Sequence, residues 1–257
     1  MKTSKKKKTD VKDFIPKNSE IVKESFEKID PKILQKKNIL ENFSDCFEAM
    51  ESKTYEIYMN YQKEAEDLSK RQLLESKEKQ IGKIKERLAS KGSGDVDKCV
   101  NEIGDIFWDS ARDFEFSMGQ SRKSRAGKAL EMILMKLFQI ADVPCEKPKG
   151  KAGKKFNNID LLVPDLETVN EKEDLAVFLS IKRTLRERWK QADQEAKGGW
   201  TVYLITLDDD ISEDLAKEIQ NSSLYVYVKD STKKRFGGLN RIRKLSDLPK
   251  DLSKFRK

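Results

Sequence analysis

The chain of 257 residues contains no histidine, and this absence limits its chemistry more than any other feature of its composition. Without an imidazole, Ser-His-Asp and Cys-His nucleophilic sites are excluded, and the usual nitrogen ligand of a zinc site is missing. Any catalysis must therefore use carboxylates, lysine, tyrosine or a hard metal ion. Only three cysteines are present, far apart and without a CxxC pair, which indicates free thiols in a reducing compartment.

The sequence also lacks the segments that direct a protein to a membrane. No apolar run approaches the ~20 residues of a membrane-spanning helix. The lysine-rich start has no apolar stretch of the kind found in signal peptides. We therefore expect a cytoplasmic protein without membrane association.

Charge is what the sequence has in abundance. Charged residues make up 38% of the chain and hydrophobic residues 37%, so the core is modest and the surface is heavily charged. The formal net charge is +8 and the pI is near 9.1. A basic balance of this size favours a polyanionic partner.

Residues 1–94 are predicted to form a helical N-terminal region. A lysine-rich start, either a solvated tail or a phosphate-contacting arm, precedes two short helices that Pro31 separates. A long charged helix over residues 51–91 follows. It is either a solvated hairpin or coiled-coil arm, or a stacking surface for DNA formed by Tyr55, Tyr58 and Tyr61.

Two apolar helices are predicted next. We expect residues 95–118 to pack on a catalytic core, and Ser124 can cap the helix that follows. Glu131 is unusual because it lies among apolar residues of that second helix. It is either a carboxylate near a metal site or the partner of Lys128 or Arg125 in a salt bridge.

The most informative stretch is residues 158–195, which reads as strand, loop, strand and helix. Asp160 lies in the first apolar run and Lys182 ends the second, and burying such groups is costly unless they are paired or bind a metal. On adjacent strands the two could meet, and Glu195 on the following helix could join them. Two carboxylates and a lysine would form a magnesium site beside an amine that can handle protons.

The remaining elements predict the fold class. A Lys/Gly loop, a candidate for phosphate contact, precedes the first strand, and the last residues, 230–257, read as basic and irregular. The order β-β-α-β-α-β after an N-terminal helix predicts an α/β (α+β) fold with a mixed sheet flanked by helices, in a domain of residues 95–257. Beyond the stretch above, the predicted elements are strand 200–207, helix 208–220 and strand 224–228.

Residues 159–195 resemble the PD-(D/E)XK nucleases, specifically type II restriction endonucleases of the SsoII/PspGI/EcoRII group. The motif is Ile159-Asp160, then Ser180-Ile181-Lys182-Arg183-Thr-Leu-Arg-Glu-Arg-Trp189, then Glu195, and the similarity extends over residues 121–228. It implies a restriction-endonuclease-like core and a homodimer that cuts double-stranded DNA with Mg²⁺.

The resemblance also assigns roles within the site. Asp160 would be the motif aspartate and metal ligand, Lys182 the motif lysine, and Glu195 the second metal ligand, moved onto the helix. That move accounts for Ser180, which stands where a carboxylate is usual. Asp165 of the literal Pro-Asp dipeptide is an alternative ligand, but Asp160 is favoured because it lies inside the apolar strand.

Recognition residues follow from the same resemblance. Arg186, Glu187 and Arg188 would read a CC/GG element, since arginine pairs with guanine and glutamate accepts from the cytosine amino group. Alternatively, Thr184 and Glu187 form a capping box and the arginines are solvated. Candidate phosphate contacts are Arg122, Arg125, Lys154 and Lys155.

Members of this group that recognise CCNGG flip the central bases onto an N-terminal helix. Tyr61 is the candidate for stacking, but Ile57, one turn earlier, is not the arginine expected there. Base flipping and the central base therefore stay open. The alternatives to a type II site-specific deoxyribonuclease are a less specific repair or junction nuclease and a non-catalytic DNA-binding or coiled-coil protein.

Overall fold

In a computed structural model of the chain, the described residues are 14–90, 96–150, 155–156, 158–172, 175–185 and 189–256. They form two compact units, one with residues 14–21 and 55–125, the other with residues 22–54 and 126–256. The boundary predicted at residue 94 lies outside the described residues, and the described helical segments on both sides of it belong to the first unit. The division into residues 1–94 and 95–257 stays a prediction.

The described helices and strands have the following bounds, with short 3₁₀ turns near the C-terminus omitted. The helices are α1 (Asn18–Lys28), α2 (Lys36–Glu41), α3 (Phe43–Ser90), α4 (Val96–Ile140), α5 (Leu166–Glu171), α6 (Trp189–Lys197), α7 (Glu213–Gln220), α8 (Asp230–Lys233) and α9 (Leu248–Asp251). The strands are β1 (Leu161–Val163), β2 (Val177–Ile181), β3 (Thr201–Ile205), β4 (Tyr225–Val228) and β5 (Ile242–Lys244). None of the described helices has the length and apolar character needed to cross a membrane.

The first unit is helical and has a small core of its own. Arg87 of α3 binds Glu102 of α4 through two nitrogen–oxygen contacts of 2.5 and 3.2 Å. Residues 96–118, for which packing on a catalytic core is expected, belong to this unit, and Trp108 and Phe116 are each 72% exposed. The buried core residues are Ile15, Ile21, Ile57, Tyr58, Ala65 and Met118.

One predicted helix start was also wrong. Ser124 lies in the middle of α4, which is continuous from Val96 to Ile140. Serine is a frequent N-cap because its hydroxyl accepts from a free amide of the first turn, but inside a continuous helix those amides are already paired. The local capping pattern was therefore overridden by helix continuation.

The second unit contains a five-stranded mixed sheet in the order β1-β2-β3-β4-β5. Strands β1 and β2 are antiparallel, and the three remaining pairs are parallel. Successive strand residues point to opposite faces, so Leu179 and Phe178 enter different core clusters. Each cluster also contains helical residues, such as Phe138 of α4 in one and Ala192 of α6 in the other. The predicted mixed sheet flanked by helices is confirmed.

The C-terminal residues are more regular than predicted. They contain β5, the last strand of the sheet, and two short helices, α8 and α9. Ile242, Leu245, Leu248 and Leu252 are fully buried. Because the strand has only three residues and two of them are cations, neither alternation nor an apolar run revealed it in the sequence.

Candidate active site

Asp160 and Lys182 meet at the edge where β1 begins and β2 ends. The Asp160 backbone N–H donates to the Leu179 carbonyl oxygen at 2.8 Å, which continues the pairing of the two strands by one residue. The Asp160 Oδ2 atom accepts from the Ile181 backbone N–H at 2.6 Å and from Lys182 Nζ at 3.0 Å. The two side chains are 20% and 18% exposed. The expected meeting of carboxylate and amine therefore occurs, and its catalytic role stays a prediction.

Glu195 lies on α6, and its two carboxylate oxygens have different surroundings. Oε1 accepts from Asn158 Nδ2 at 2.9 Å. Oε2 is buried and has no hydrogen-bond partner among the described residues. Burial raises the pKa of Glu195, while the hydrogen bond from Asn158 and the charge of Lys182 lower it and the charge of Asp160 raises it. The charges of Asp160 and Lys182 therefore act on Glu195.

Asn158 is a site residue that the sequence did not identify. Besides its side-chain hydrogen bond to Glu195, the Asn158 backbone carbonyl oxygen accepts from Ser180 Oγ at 3.2 Å. Ser180 lies in β2, the second of the five strands, and is 1% exposed. The only clue in the sequence was that a polar residue directly precedes the first apolar run, since its partner Glu195 is 37 positions away.

These residues fit a hard divalent cation. Magnesium uses oxygen ligands, keeps several waters and is usually bound by one or two carboxylates together with substrate phosphate. The buried, unpartnered Oε2 of Glu195 is an oxygen that lacks the partner a buried polar atom normally has. Within the described chain no group of three or more Asp, Glu or Cys side chains lies close enough to hold a metal alone. A two-carboxylate site is thus what these residues can provide.

Asp165, the alternative ligand, has a structural task. It is the N-cap of α5, and its Oδ1 atom accepts from the Thr168 backbone N–H at 2.8 Å. This is the usual way in which an aspartate satisfies a free amide at a helix start. The geometry supports the choice of Asp160.

Glu131 is paired within the second unit, though not with a predicted partner. Its Oε2 atom is 2.6 Å from Lys147 Nζ, and its side chain is 19% exposed. The prediction of a salt bridge was therefore correct in kind, but Lys147 takes the place of Lys128 or Arg125. The partner comes from the loop after α4, which the helical spacing of residues could not indicate. A role of Glu131 near the metal stays a prediction.

The predicted recognition residues Arg186, Glu187 and Arg188 lie outside the described residues, as does Lys154. Their neighbours on both sides are anchored: Leu185 and Trp189 are buried in the same core cluster. The capping-box alternative for Thr184 stays open, because its partner Glu187 lies outside the described residues; Leu185, directly after Thr184, is not helical.

Two further contacts hold the chain between Lys182 and this triplet. Asp208 Oδ2 accepts from the Leu185 backbone N–H at 2.8 Å. Arg183 Nη1 is 2.5 Å from Glu51 Oε1. The sequence indicated neither contact. Asp208 was predicted only as the start of a helix, and Glu51 as part of a long charged helix. They fix the segment that leads from Lys182 to the predicted readout residues.

The candidate residues of the first unit are unequally available. Of the three tyrosines proposed as one stacking surface, Tyr55 is half exposed, Tyr58 is buried, and Tyr61 packs partly buried against the unit's core. A single surface of all three is therefore wrong, because each step of three residues rotates the side chain by about 60° around the helix, so that Tyr55 and Tyr61 lie about 120° apart. The stacking role of Tyr61 stays a prediction.

The candidate phosphate contacts that the structure describes all have partners in the protein. Arg122 lies 3.2 Å from Glu115. Arg125 donates to the Pro16 carbonyl at 2.5 Å, to the Ile15 carbonyl and to Ser121 Oγ. Lys155 lies 4.8 Å from the ring centroid of Phe156. Phosphate contact by any of them would have to add to or replace these interactions.

The fold of the chain is similar to the folds of solved restriction endonucleases. Ecl18kI, solved metal-depleted in complex with uncleaved DNA, superposes with a TM-score of 0.75 over 95% of this chain and 80% of its own at 24% identity. PspGI, solved with substrate DNA, gives a TM-score of 0.66 over 96% and 95% at 20% identity.

The sequence comparisons identify the family. The family model EcoRII C terminal matches residues 78–247, and the chain belongs to this family. The type II restriction enzyme SsoII of Shigella sonnei is 32% identical over 146 residues, 53% of this chain and 48% of SsoII. EcoRII of Escherichia coli is 30% identical over 125 residues, 47% of this chain and 30% of EcoRII. The chain thus spans about half of SsoII and less than a third of EcoRII.

Proposed function

We propose that this protein is a type II restriction endonuclease that cleaves double-stranded DNA at a short palindrome containing CC/GG. The observation that carries the proposal is the convergence of Asp160, Lys182 and Glu195 in a chain of the EcoRII C-terminal family. The net charge of +8 suits a polyanionic substrate. The enzyme acts in the cytoplasm.

In this proposal Asp160 and Glu195 hold Mg²⁺, which when bound lowers the pKa of a water and offsets charge on the scissile phosphate. Lys182 Nζ, held at 3.0 Å from Asp160 Oδ2, donates a hydrogen bond to the attacking water or a phosphate oxygen. The Ile181 amide fixes the same Oδ2 atom, so the carboxylate keeps its orientation. Glu131 remains a further candidate carboxylate near this site.

Recognition is proposed to use the triplet Arg186, Glu187 and Arg188 in the major groove. Two arginines and a glutamate supply the donors and the acceptor that consecutive G·C pairs require. The proposed site is CCNGG-like, and the N-terminal helical region serves as a DNA-contacting arm on which Tyr61 stacks flipped central bases. A homodimer follows from a palindromic site, since each half-site needs one copy of the readout residues.

The non-catalytic alternative has one observation in its favour. It treats Asp160, Lys182 and Glu195 as structural ion pairs, and Asp160 does pair with Lys182. Glu195 argues against it, because a purely structural carboxylate would not be expected to keep a buried oxygen without a partner. The nuclease reading explains that oxygen as a metal ligand.

Digestion of a plasmid of known sequence, with and without Mg²⁺, tests the proposal. We expect discrete fragments in Mg²⁺ only, and sequencing of their ends should return one short CC…GG motif. The Asp160→Asn variant should leave the plasmid intact and serves as the control for contaminating nucleases. A smear would support a less specific nuclease, and bound but uncut DNA would support the binding-protein alternative. Light scattering of the purified protein tests the homodimer.

A further inference from the structure

Glu195 projects from a helix, so something must orient its carboxylate if it is to act as a ligand. A free glutamate side chain has three rotatable bonds, so fixing it in one orientation costs conformational entropy. In the structure Oε1 is held at 2.9 Å by Asn158 Nδ2, while the buried Oε2 has no partner among the described residues. One oxygen is thus positioned and the other is left for a ligand.

The charge of the group that donates to Glu195 decides whether the carboxylate can still bind a cation. A lysine or arginine in this place would neutralise Glu195 and repel an incoming cation. The asparagine amide is neutral, so it orients the carboxylate through a hydrogen bond to a charged acceptor without cancelling the charge. Asn158 therefore has the chemistry of a residue that prepares a carboxylate for a cation.

Asn158 is itself held. Its backbone carbonyl oxygen accepts from Ser180 Oγ at 3.2 Å, and Ser180 is buried in β2 between neighbouring strands. Ser180 stands at the position where the resemblance expects a carboxylate. At this position the Ser180 hydroxyl is not a metal ligand but a hydrogen-bond donor, and it fixes the backbone of Asn158. The contacts run from the sheet through Ser180 and Asn158 to Glu195.

We propose that Asn158 is a positioning residue that Ser180 holds in place and that orients Glu195 for a divalent cation. This inference rests on the proposed function only in taking Glu195 as a metal ligand. Hydrogen-bonded partners of ligands elsewhere typically contribute 10–100-fold to metal affinity. The same range is expected here for Asn158.

The test measures Mn²⁺ binding to the full chain by the electron paramagnetic resonance signal of free Mn²⁺, without DNA. Asn158→Ala should weaken Mn²⁺ binding about 10–100-fold. Ser180→Ala should weaken it less, and the double variant should bind no more weakly than Asn158→Ala, because Ser180 acts through Asn158. Asn170→Ala, an exposed asparagine of α5, is the matched control and should bind as the parent protein does.

A second measurement separates positioning from general structure. The Mg²⁺ concentration that half-saturates DNA cleavage should rise in Asn158→Ala by the same factor as the Mn²⁺ dissociation constant, while the rate at saturating Mg²⁺ changes less. A folded Asn158→Ala variant with unchanged Mn²⁺ affinity overturns the proposal. Should that variant fail to fold, unchanged affinity in Ser180→Ala overturns it instead.

The same measurements distinguish failure of this inference from failure of the proposed function. If the parent protein does not cut DNA but Asn158→Ala and Glu195→Ala both lose Mn²⁺ affinity, the positioning role stands and the nuclease reading fails. If Glu195→Ala binds Mn²⁺ as the parent does, Glu195 is no ligand and the positioning role is overturned, whatever the DNA assay gives.

Discussion

Lys182 Nζ lies 3.0 Å from Asp160 Oδ2, and the pair is four-fifths buried next to the strands that carry it. Removing such charges from water costs free energy that their attraction only partly returns. Burial raises the pKa of Glu195, the second carboxylate, and the charge of Asp160 raises it further by a smaller amount. A fold selected for stability alone would not place like charges together in this way. Buried charges with unfavourable interactions of this kind are typical of functional sites.

Replacing Asp160 by asparagine should abolish cleavage and preserve DNA binding. The amide keeps the shape and an oxygen for the Ile181 N–H, but it removes the negative charge that would hold a cation. We expect a loss of at least 10²–10³-fold in cleavage rate, on the order of the several kcal/mol that metal catalysis supplies. Gel-shift titration should show equal or tighter binding, since one charge that repels phosphate is gone. Full activity of this variant would show that Asp160 is not a metal ligand.

A pair of phenylalanine substitutions tests the packing. Phe178 is fully buried, with its ring 4.8 Å from that of Trp200 and 5.4 Å from that of Phe156. Phe178→Ala should lower the free energy of unfolding by about 3–5 kcal/mol. Phe116→Ala should change it by less than about 0.5 kcal/mol, since Phe116 is exposed. Urea unfolding of both variants provides the measurement, and similar effects would contradict the assigned burial.

The strands that consist of apolar residues could be predicted from the sequence. The strand that contains mostly charged residues could not. The runs around Leu161 and Phe178 are long enough to read as buried strands, whereas β5 consists of one isoleucine and two cations. Its place in the sheet depends on pairing with β4, which only the folded chain supplies. Local sequence carries little information about an edge strand with so few apolar residues.

The candidate site likewise contains residues that the sequence identified and residues that it did not. Asp160 and Lys182 could be identified because a charge in an apolar strand needs an explanation. Asn158 could not, because its role depends on a hydrogen bond to a residue 37 positions away. Lys147 was missed as the partner of Glu131 for the same reason. Sequence patterns thus indicated the costly groups, while the groups that satisfy them required the fold.

Arg186→Ala should relax specificity rather than weaken binding to all DNA alike. Loss of one bidentate contact to guanine costs about 1–3 kcal/mol of discrimination against the wrong base pair. The measurement is the ratio of cleavage rates on the cognate site and on sites with one changed base pair. Arg241→Ala removes the same charge from a side chain stacked on Tyr225 and is the control. Equal weakening on every sequence would make Arg186 a phosphate contact.

Asp208→Ala should reduce discrimination through the segment that precedes the readout triplet. Asp208 Oδ2 accepts the Leu185 N–H at 2.8 Å, and its own N–H donates to Thr206 Oγ1 at 3.1 Å, so it ties Leu185 to the end of β3. Without the carboxylate the Leu185 amide loses this acceptor, a cost of about 1–3 kcal/mol for a buried donor. We expect the ratio of cognate to altered-site cleavage to fall about tenfold if roughly 1.4 kcal/mol of this reaches the readout residues.

Asp208→Asn should restore most of that ratio, because its amide oxygen can still accept from Leu185. Asp210→Ala, an exposed neighbour, should leave the ratio as it is. Single-turnover cleavage of paired substrates measures all three variants. A uniform loss of rate on both substrates would mean that Asp208 supports only the fold, since a change confined to stability lowers the amount of active enzyme and not its choice between sites. A selective loss that asparagine reverses instead ties discrimination to the hydrogen bond itself.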